Sequence, residues 1–546
     1  MMNSDAQEGP GLERLRGVWS QVLGRDSVAA DDNFFSLGGD SITAIRLVAE
    51  ARSAGLDISV EEVFLHPTLG ELAREAAGVP DAPMTQEPSA GATLTTTLAD
   101  LDPGDVPAGV ADAYPLSSLQ LGILYHCEVS DDPRLYHDLT SVRVSGPWDE
   151  GALRDAVAAL VDRHDMLRTS FELAEFREPL QLVHTTATVP METQDLSGLT
   201  DEEQLSALDD WWQRQSGTSF DETKAPLLRI HVGILAPDSF HLSLSVHHIL
   251  LDGWSFARLA TEVLVEYERR LGYEGPGLEP MPRVRYRDFV AAEQSATRDA
   301  ASRTYWTQLL KGMEALSLPK PSAADGTGTG ELVQELPDAL AVGVQRFSAE
   351  LGVPVKSVFL AAHLWAMGEL CGTEDVVSGL CGNGRPESEG ADLVLGVFLN
   401  VLPVRLRLEH GGWTELVRAA FDAEREHLPH RQYPLARMRK DLGHSPFEAM
   451  FNYTDFHVFD RVDSLRRISA DRWSFADRTN FPVLVEVNRL PQRMSYELNI
   501  RVDPAEASAT LAPRIGELMV RALTAIVREG DRRDCGSESV TSGKRG

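Results

Sequence analysis

Two adjacent histidines, His247 and His248, are followed closely by Asp252 and Gly253. An unperturbed imidazole titrates near pH ~6.5, so a neutral base is available at neutral pH. The residue types therefore indicate proton transfer, or hydrogen-bond positioning, at one imidazole. Spacing alone equally allows two ordinary histidines, one buried and hydrogen-bonded. Adjacent strand residues point to opposite faces, so the pair would bind one metal ion poorly, and we expect no metal site.

The elements around the histidines follow from their neighbours. Leu242, Leu244 and Val246 alternate with serines, which predicts a strand whose apolar face His248 continues towards an interior or a tunnel. Asp252-Gly253 predicts a turn. Ser255 is then the expected N-cap of a helix. The helix is predicted from apolar residues at helical spacing: Phe256, Leu259, Ala260, Val263 and Tyr267.

A second candidate site is the hydroxyl of Ser41, which follows a Phe-Phe-Ser-Leu-Gly-Gly-Asp stretch and opens a predicted helix. Helix N-termini favour negative charge, so this hydroxyl is well placed to carry a phosphate. The alternative is that Ser41 is a plain helix N-cap. Apolar periodicity, and a capping box from Thr68 to Glu71, predict a small helical bundle over residues 10–78.

Composition restricts the classes of function. The chain has 546 residues, 43% of them hydrophobic and 25% charged, which predicts two or three soluble globular domains. The net charge of −32 argues against nucleic acid and anionic membranes as partners. We find no signal peptide and no membrane-spanning apolar run, so we expect a cytoplasmic protein. No CxxC pair occurs among the four cysteines, which are Cys127, Cys371, Cys381 and Cys535.

Two segments lack persistent apolar periodicity. Residues 79–112 are rich in Pro, Gly and Thr and are predicted to be a linker. Residues 531–546 are polar and are predicted to be a disordered tail.

Several motifs together carry a family resemblance. The segment at residues 247–255, His-His-Ile-Leu-Leu-Asp-Gly-Trp-Ser, resembles the active-site motif of condensation domains in nonribosomal peptide synthetases. Five further segments resemble the other motifs of that family, in family order: residues 114–122, 163–171, 286–289, 395–400 and 430–435. The stretch ending at Ser41 resembles the attachment motif of peptidyl carrier proteins. The chain is thus similar to a carrier domain followed by a condensation domain.

The resemblance implies a fold. We expect a small all-α four-helix carrier bundle and a large α/β domain. The large domain would be a pseudo-dimer of two chloramphenicol-acetyltransferase-like lobes, at residues 113–275 and 276–530, with a tunnel between them.

The resemblance also implies an activity, which is amide-bond formation by an acyltransferase in secondary metabolism, such as antibiotic or siderophore biosynthesis. Ser41 would carry 4′-phosphopantetheine, attached by a phosphopantetheinyl transferase. The donor acyl or peptidyl thioester would sit on this chain's own carrier. A downstream carrier would bring the acceptor aminoacyl thioester in trans, and neighbouring synthetase domains would be further partners.

Roles follow for the site residues. His248 would act as a general base or position the amine, and His247 would be structural. Asp252 could orient His248, although the resemblance favours a salt bridge to an arginine, with Arg385 as candidate. The Gly253 N–H would help hold the developing oxyanion. Supporting residues are expected at three motif positions: Arg163, Trp254 and Asn400.

Two alternatives stay open. An epimerisation domain also follows a carrier and shares the histidine motif, but the glutamate motif it would need is not found. A catalytically silent, partner-recruiting domain is the other alternative, and the intact histidine motif argues against it. Heterocyclisation is disfavoured because both histidines are present.

Overall fold

The structure is a computed structural model, and it describes most of residues 10–541. The residues outside the description are 1–9, 77–92, 131, 274, 276, 315, 323–329, 409–410, 477, 491–494 and 542–546, and for residue 10 and residues 531–541 only the backbone is described.

The N-terminal region is a bundle of four helices. They are α1 (Pro10–Leu23), α2 (Ser41–Ser53), α3 (Val60–Leu65) and α4 (Leu69–Ala76). Trp19 and Phe34 are fully buried between them, with their rings 5.4 Å apart. Thr68 and Glu71 exchange the hydrogen bonds of the predicted capping box at the start of α4. The predicted all-α bundle is confirmed.

The first half of the large domain is built on a five-stranded sheet with the strand order β12-β2-β7-β6-β5. Its strands are β2 (His137–Ser145), β5 (Met191–Asp195), β6 (Leu228–Ala236), β7 (Ser239–His247) and β12 (Ser469–Ala476). The associated helices are α5 (Ser118–Val129), α6 (Glu150–Arg163), α7 (Asp201–Ser216) and α8 (Gly253–Arg270). A small sheet beside it has the order β1-β4-β3, from Val110–Pro115, Leu180–His184 and Thr169–Glu172.

The second half is built on a six-stranded sheet with the order β10-β9-β11-β13-β14-β8. Its strands are β8 (Glu331–Glu335), β9 (Asp375–Asn383), β10 (Leu399–Arg407), β11 (Ala449–Thr454), β13 (Val483–Leu490) and β14 (Ser495–Val502). The helices of this part of the chain are α9 (Tyr286–Ala296), α10 (Ala300–Leu309), α11 (Asp338–Leu351), α12 (Val355–Cys371), α13 (Trp413–His427), α14 (Leu435–Leu442) and α15 (Leu511–Thr541). Of these, α9 packs its apolar face into the core of the first half. The predicted α/β class is confirmed.

One strand from late in the chain joins the sheet of the first half. Strand β12 lies late in the chain, yet it pairs with β2 of the first sheet, Ala470 opposite Val144. The segment before it also packs into the first core, through Val458, Phe459 and Val462. One boundary at residue 275 therefore does not separate the lobes completely.

The terminal segments differ in part from their predictions. Helix α15 continues to Thr541 and so includes most of the segment predicted to be a disordered tail. The linker prediction falls partly on residues 77–92, which lie outside the described residues. Within the described residues, no single helix is long and apolar enough to cross a membrane, and only α11 with α12, bent by 109°, would pass as a pair.

Candidate active site

His248 lies directly after strand β7. The alternating leucines of that strand are buried as predicted, and the backbone N–H of His248 donates to the Tyr136 carbonyl at 2.8 Å. The His248 side chain is 17% exposed. Its Nδ1 lies 2.6 Å from Oδ2 of Asp138, on the neighbouring strand β2. The structure therefore brings a carboxylate to the candidate base.

His247 points into a different environment. Its Nδ1 accepts a hydrogen bond from the Ile249 N–H at 3.1 Å. Its Nε2 lies 3.3 Å from Oε1 of Glu222 and 3.8 Å from Sγ of Cys127. Burial of Glu222 acts to raise its pKa, but the hydrogen bond from His247 outweighs burial, and the pKa is lowered. His247 is therefore buried and hydrogen-bonded.

One cluster of side chains has the residue types of a metal site. Its three possible ligand atoms lie within 4.8 Å of one another and come from Cys127, Glu222 and His247. A metal would need an unprotonated Nε2, but Nδ1 accepts from a backbone N–H, so the neutral ring carries its proton on Nε2. Burial also raises the pKa of the Cys127 thiol to about 12, so the thiolate ligand is disfavoured. The cluster as arranged does not fit a metal ion.

Asp252 is 1% exposed and its two oxygens accept several hydrogen bonds. Oδ1 accepts from the Ser255 N–H at 2.7 Å, and Oδ2 accepts from the Phe398 N–H at 3.1 Å. Asp252, not Ser255, is therefore the N-cap of α8, and the predicted cap at Ser255 is wrong. The aspartate displaces the serine from that role because its carboxylate reaches the open N–H groups of the first turn.

Arg385 lies against Asp252. Its Nη2 is 3.0 Å and 3.2 Å from the two carboxylate oxygens and 2.8 Å from Oγ of Ser255. Its Nη1 donates to the Val394 carbonyl at 2.8 Å, and its guanidinium lies 4.0 Å from the centroid of the Phe398 ring. This ion pair fixes the start of α8 against the second half of the domain.

A cavity of about 380 Å³ begins at the carrier and reaches the histidine motif. Gly39, Ser41, Asp252, Gly253 and Trp254 are among its lining residues. Gly253 is the first residue of α8, so its N–H belongs to the open end of a helix. His248 does not line this cavity. The cavity connects the carrier serine to the turn that follows the histidines.

Ser41 is the first residue of α2, and the N-cap is again an aspartate. Oδ1 of Asp40 accepts from the Thr43 N–H at 2.7 Å, so Ser41 is not the cap. A Cβ on Gly39 would lie 2.3 Å from the Phe34 ring, so only glycine fits there. A hydroxyl at a helix N-terminus that opens on a cavity fits a phosphopantetheine attachment site.

The carrier is docked on the second half of the large domain. The Phe35 ring lies 5.6 Å from the Phe421 ring of α13, and the Phe64 ring stacks on Phe421 at 6.0 Å. Arg52 donates to the Glu387 carbonyl at 2.7 Å and pairs with the Glu387 carboxylate at 3.3 Å. An apolar centre with a charged edge therefore holds Ser41 at the cavity.

Arg163 and Asn400, which were predicted to support the active site, contact residues outside the histidine motif. Arg163 contacts Glu279 at 2.5 Å and Glu262 at 3.5 Å, and among the described residues the structure shows no contact from it to the histidine motif. Asn400 donates to the Arg431 and Tyr433 carbonyls at 2.9 Å and 2.8 Å. Asn400 thus holds the motif at residues 430–435 in place.

Other predicted and unpredicted residues lie closer to the site. Trp254 donates from Nε1 to the Asp392 carbonyl at 3.0 Å. Sequence reasoning missed Asp138 and Glu222, the carboxylates next to the two histidines, and Phe456, which lies against Gly253. These residues are far from the motif in sequence, so motif spacing carried no signal for them.

Comparison with protein families gives two matches. A model of the condensation domain matches residues 110–512, and a model of the phosphopantetheine attachment site matches residues 13–76. The chain belongs to the condensation-domain family. It consists of a carrier domain followed by a condensation domain, and the attachment site identifies phosphopantetheine as its cofactor.

The chain is similar to parts of much longer proteins. It is 34% identical over 522 residues to the AMB antimetabolite synthetase AmbE of Pseudomonas aeruginosa, covering 93% of the chain and 24% of that protein. It is 28% identical over 517 residues to malpinin synthetase of Mortierella alpina, covering 88% of the chain and 6% of that protein. The chain thus spans a quarter or less of these relatives.

Solved structures show the same fold. The condensation domain of the monacolin K polyketide synthase MokA matches with a TM-score of 0.65 at 19% identity, covering 77% of this chain and 98% of that one. The first condensation domain of the calcium-dependent antibiotic synthetase, in complex with a substrate analogue, matches with a TM-score of 0.62 at 19% identity, covering 77% and 97%.

Proposed function

We propose that this condensation domain forms an amide bond between an acyl group carried on Ser41 and an amine delivered by a second carrier. The observation that supports this most directly is the cavity shared by Ser41 and the turn at Asp252 and Gly253. In this proposal the docked carrier is the donor, and the amine comes from a second carrier.

The residues have separate tasks in this reaction. Phosphopantetheine on Ser41 supplies a thiol that holds the acyl group as a thioester. His248 takes a proton from the attacking amine as the C–N bond forms. His248 would then give that proton to the leaving thiol, so that the products are one amide and one thiol. The Gly253 N–H, at the start of α8, would donate to the developing oxyanion.

Positioning contributes much of the rate, because a thioester is already activated. Well-oriented reactants gain roughly 7–11 kcal/mol over reaction in solution. The aromatic contacts of Phe421 and the Arg52–Glu387 pair keep the carrier serine at the cavity mouth. A general base adds a further factor of about 10²–10⁴.

The test is reconstitution. The full chain is loaded on Ser41 with an acyl-pantetheine, a separate carrier is loaded with an aminoacyl group, and the product is followed by mass spectrometry. We expect an acyl-aminoacyl product on the second carrier. Ser41→Ala removes both the pantetheine mass increment and the product, and His248→Ala lowers the rate by about 10²-fold or more.

Other outcomes distinguish the alternatives. Inversion of the carried α-carbon without amide product would show an epimerisation domain. A loaded wild-type chain that gives neither product would show a catalytically silent domain. Turnover of His248→Ala within about twofold of wild type would leave positioning alone and remove the base from the mechanism.

A further inference from the structure

Asp138 and His248 form a close pair that joins two strands. Oδ2 of Asp138 lies 2.6 Å from Nδ1 of His248, and the side chains are 8% and 17% exposed. This distance is short, as expected when an N–H group donates to an ionised carboxylate. Such bonds are stronger than neutral ones, and the burial of both side chains weakens the screening of the pair.

Strand β2 and the residue before it hold both partners. Asp138 lies opposite Val246 of β7 in the antiparallel register. The N–H of His248 donates to the Tyr136 carbonyl, and Tyr136 has a left-handed backbone with φ 57°. The Tyr136 ring stacks near the imidazole, with centroids 6.0 Å apart. The tyrosine hydroxyl in turn donates to Oδ1 of Asn480 at 2.6 Å.

The pair selects a tautomer. A carboxylate accepts hydrogen bonds only, so Nδ1 of His248 must carry the proton in this contact. The lone pair of the neutral ring is then on Nε2, which is the nitrogen that takes a proton from an amine. When Nε2 is protonated, the carboxylate stabilises the imidazolium that results.

Asp252 cannot perform this task. Its oxygens accept from Arg385 and from the N–H groups of Ser255 and Phe398. We infer that Asp138 is the positioning residue of His248, which it holds in the Nδ1–H tautomer ready to accept a proton on Nε2. The inference rests on the proposed function, since it assigns how that base is prepared.

Other titratable and charged groups lie near His248 and bear on its pH profile. Tyr136 faces the imidazole from the position just before β2. Burial first, and then the charge of Cys127, raises the pKa of Tyr136. The charge of Arg439 on α14 acts on Tyr136 in the opposite direction. On the other side of the strand end, His247 is paired with Glu222. Among the residues that the structure describes, Asp138 brings a carboxylate into direct contact with His248.

The experiment replaces the carboxylate by an amide of the same shape. In the loaded full chain, Asp138→Asn lowers kcat for amide formation by about 10²-fold or more, because the amide also permits the wrong tautomer. The KM for the acceptor carrier should change less than about threefold, which we count as no effect on binding. A carboxylate favours imidazolium, so its loss moves the acidic limb of the kcat/KM profile to lower pH.

The control is Asp375→Asn. Asp375 is also an aspartate on a strand, and it pairs with Arg405 at 2.6 Å. It is the first residue of β9, whereas Arg385 follows the last residue of that strand. We expect unchanged kcat and an unchanged profile. Equal loss in both variants, or a kcat for Asp138→Asn within about threefold of wild type and an unmoved profile, would overturn the inference.

A second measurement does not depend on turnover. Nitrogen-15 NMR of the histidine rings reports the tautomer of neutral His248, assigned by His248→Ala. We expect the Nδ1–H tautomer in wild type and its loss in Asp138→Asn. An Nε2–H tautomer in wild type overturns the inference even where the chain proves active. A wild-type chain without product but with the Nδ1–H tautomer removes the proposed function and supports the pairing.

Discussion

Arg385 and Asp252 form an ion pair that is almost completely buried, with 1% and 2% of their side chains exposed and Nη2 3.0 Å from Oδ1. The pair joins the segment after β9 to the N-terminus of α8. Burial lowers the pKa of Arg385, and the charge of Asp252 opposes that effect. Each ion therefore depends on the other for its place in the core.

Arg385→Met should destabilise the fold strongly. Removing one partner leaves Asp252 charged and buried, which costs about 3–5 kcal/mol. We expect a clear fall in the free energy of unfolding in urea. The matched control is Arg154→Met, whose exposed pair with Glu150 is worth at most about 1 kcal/mol. Equal midpoints for the two variants would contradict this account of the pair.

Phe421→Ala should weaken docking of the carrier without harming the large domain's chemistry. Phe421 supplies the ring that contacts both Phe35 and Phe64. We expect amide formation from Ser41 to fall about tenfold, since edge and stacked aromatic contacts of about 0.5–1.5 kcal/mol are lost along with buried area. A small soluble donor thioester, which bypasses the carrier, should react at the wild-type rate.

The control for this variant is Phe475→Ala, an exposed ring on β12. It should leave both donors unaffected. If Phe421→Ala slowed the soluble donor as much as the tethered one, the ring would belong to the structure of the domain rather than to docking.

The local structure of the site was predictable where the signal was local. The alternation from Leu242 to Val246 predicted β7, and the Thr68–Glu71 spacing predicted the start of α4. The exception is the cap of α8, because both Asp252 and Ser255 are good N-caps and only their geometry decides between them.

Contacts between residues that are distant in the sequence could not be predicted from local patterns. Asp138 meets His248 only because β2 and β7 pair in one particular register, which nothing in the sequence near either residue specifies. The return of β12 to the first sheet is a similar case. The docked carrier depends on Phe35, which belongs to the attachment motif but packs on a distant helix.

Glu293→Gln should stabilise the fold at alkaline pH. Glu293 is buried, and burial raises its pKa to about 7. Its Oε1 accepts from the Ser118 N–H at 2.7 Å. Between the ordinary pKa of 4.5 and about 7, the folded state binds more protons than the unfolded state, so wild-type stability falls as pH rises. The difference corresponds to about 3 kcal/mol.

Glutamine keeps the acceptor for Ser118 but cannot ionise. Thermal unfolding at pH 5 and at pH 8 should therefore give a higher Tm for Glu293→Gln at pH 8 and a smaller difference at pH 5. Glu203→Gln is the control, because the Glu203 carboxylate is exposed. A wild-type Tm that rose between pH 5 and pH 8, with the glutamine variant following it, would contradict the assignment.

Gly253→Ala should damage catalysis while sparing stability. A Cβ at this position would lie 2.9 Å from Cζ of Phe456, so the ring must shift inside the cavity that leads from Ser41. Alanine is a better helix former than glycine, so the first turn of α8 loses nothing in propensity. We expect an unchanged or higher Tm and a fall in amide formation of about tenfold or more, because small displacements near reacting atoms are costly.

Adding Phe456→Leu removes the ring that the new methyl group meets, and the double variant should recover most of the rate. Failure of that recovery, with both proteins folded, would mean that the methyl group obstructs the Gly253 N–H or the substrate itself rather than the phenylalanine.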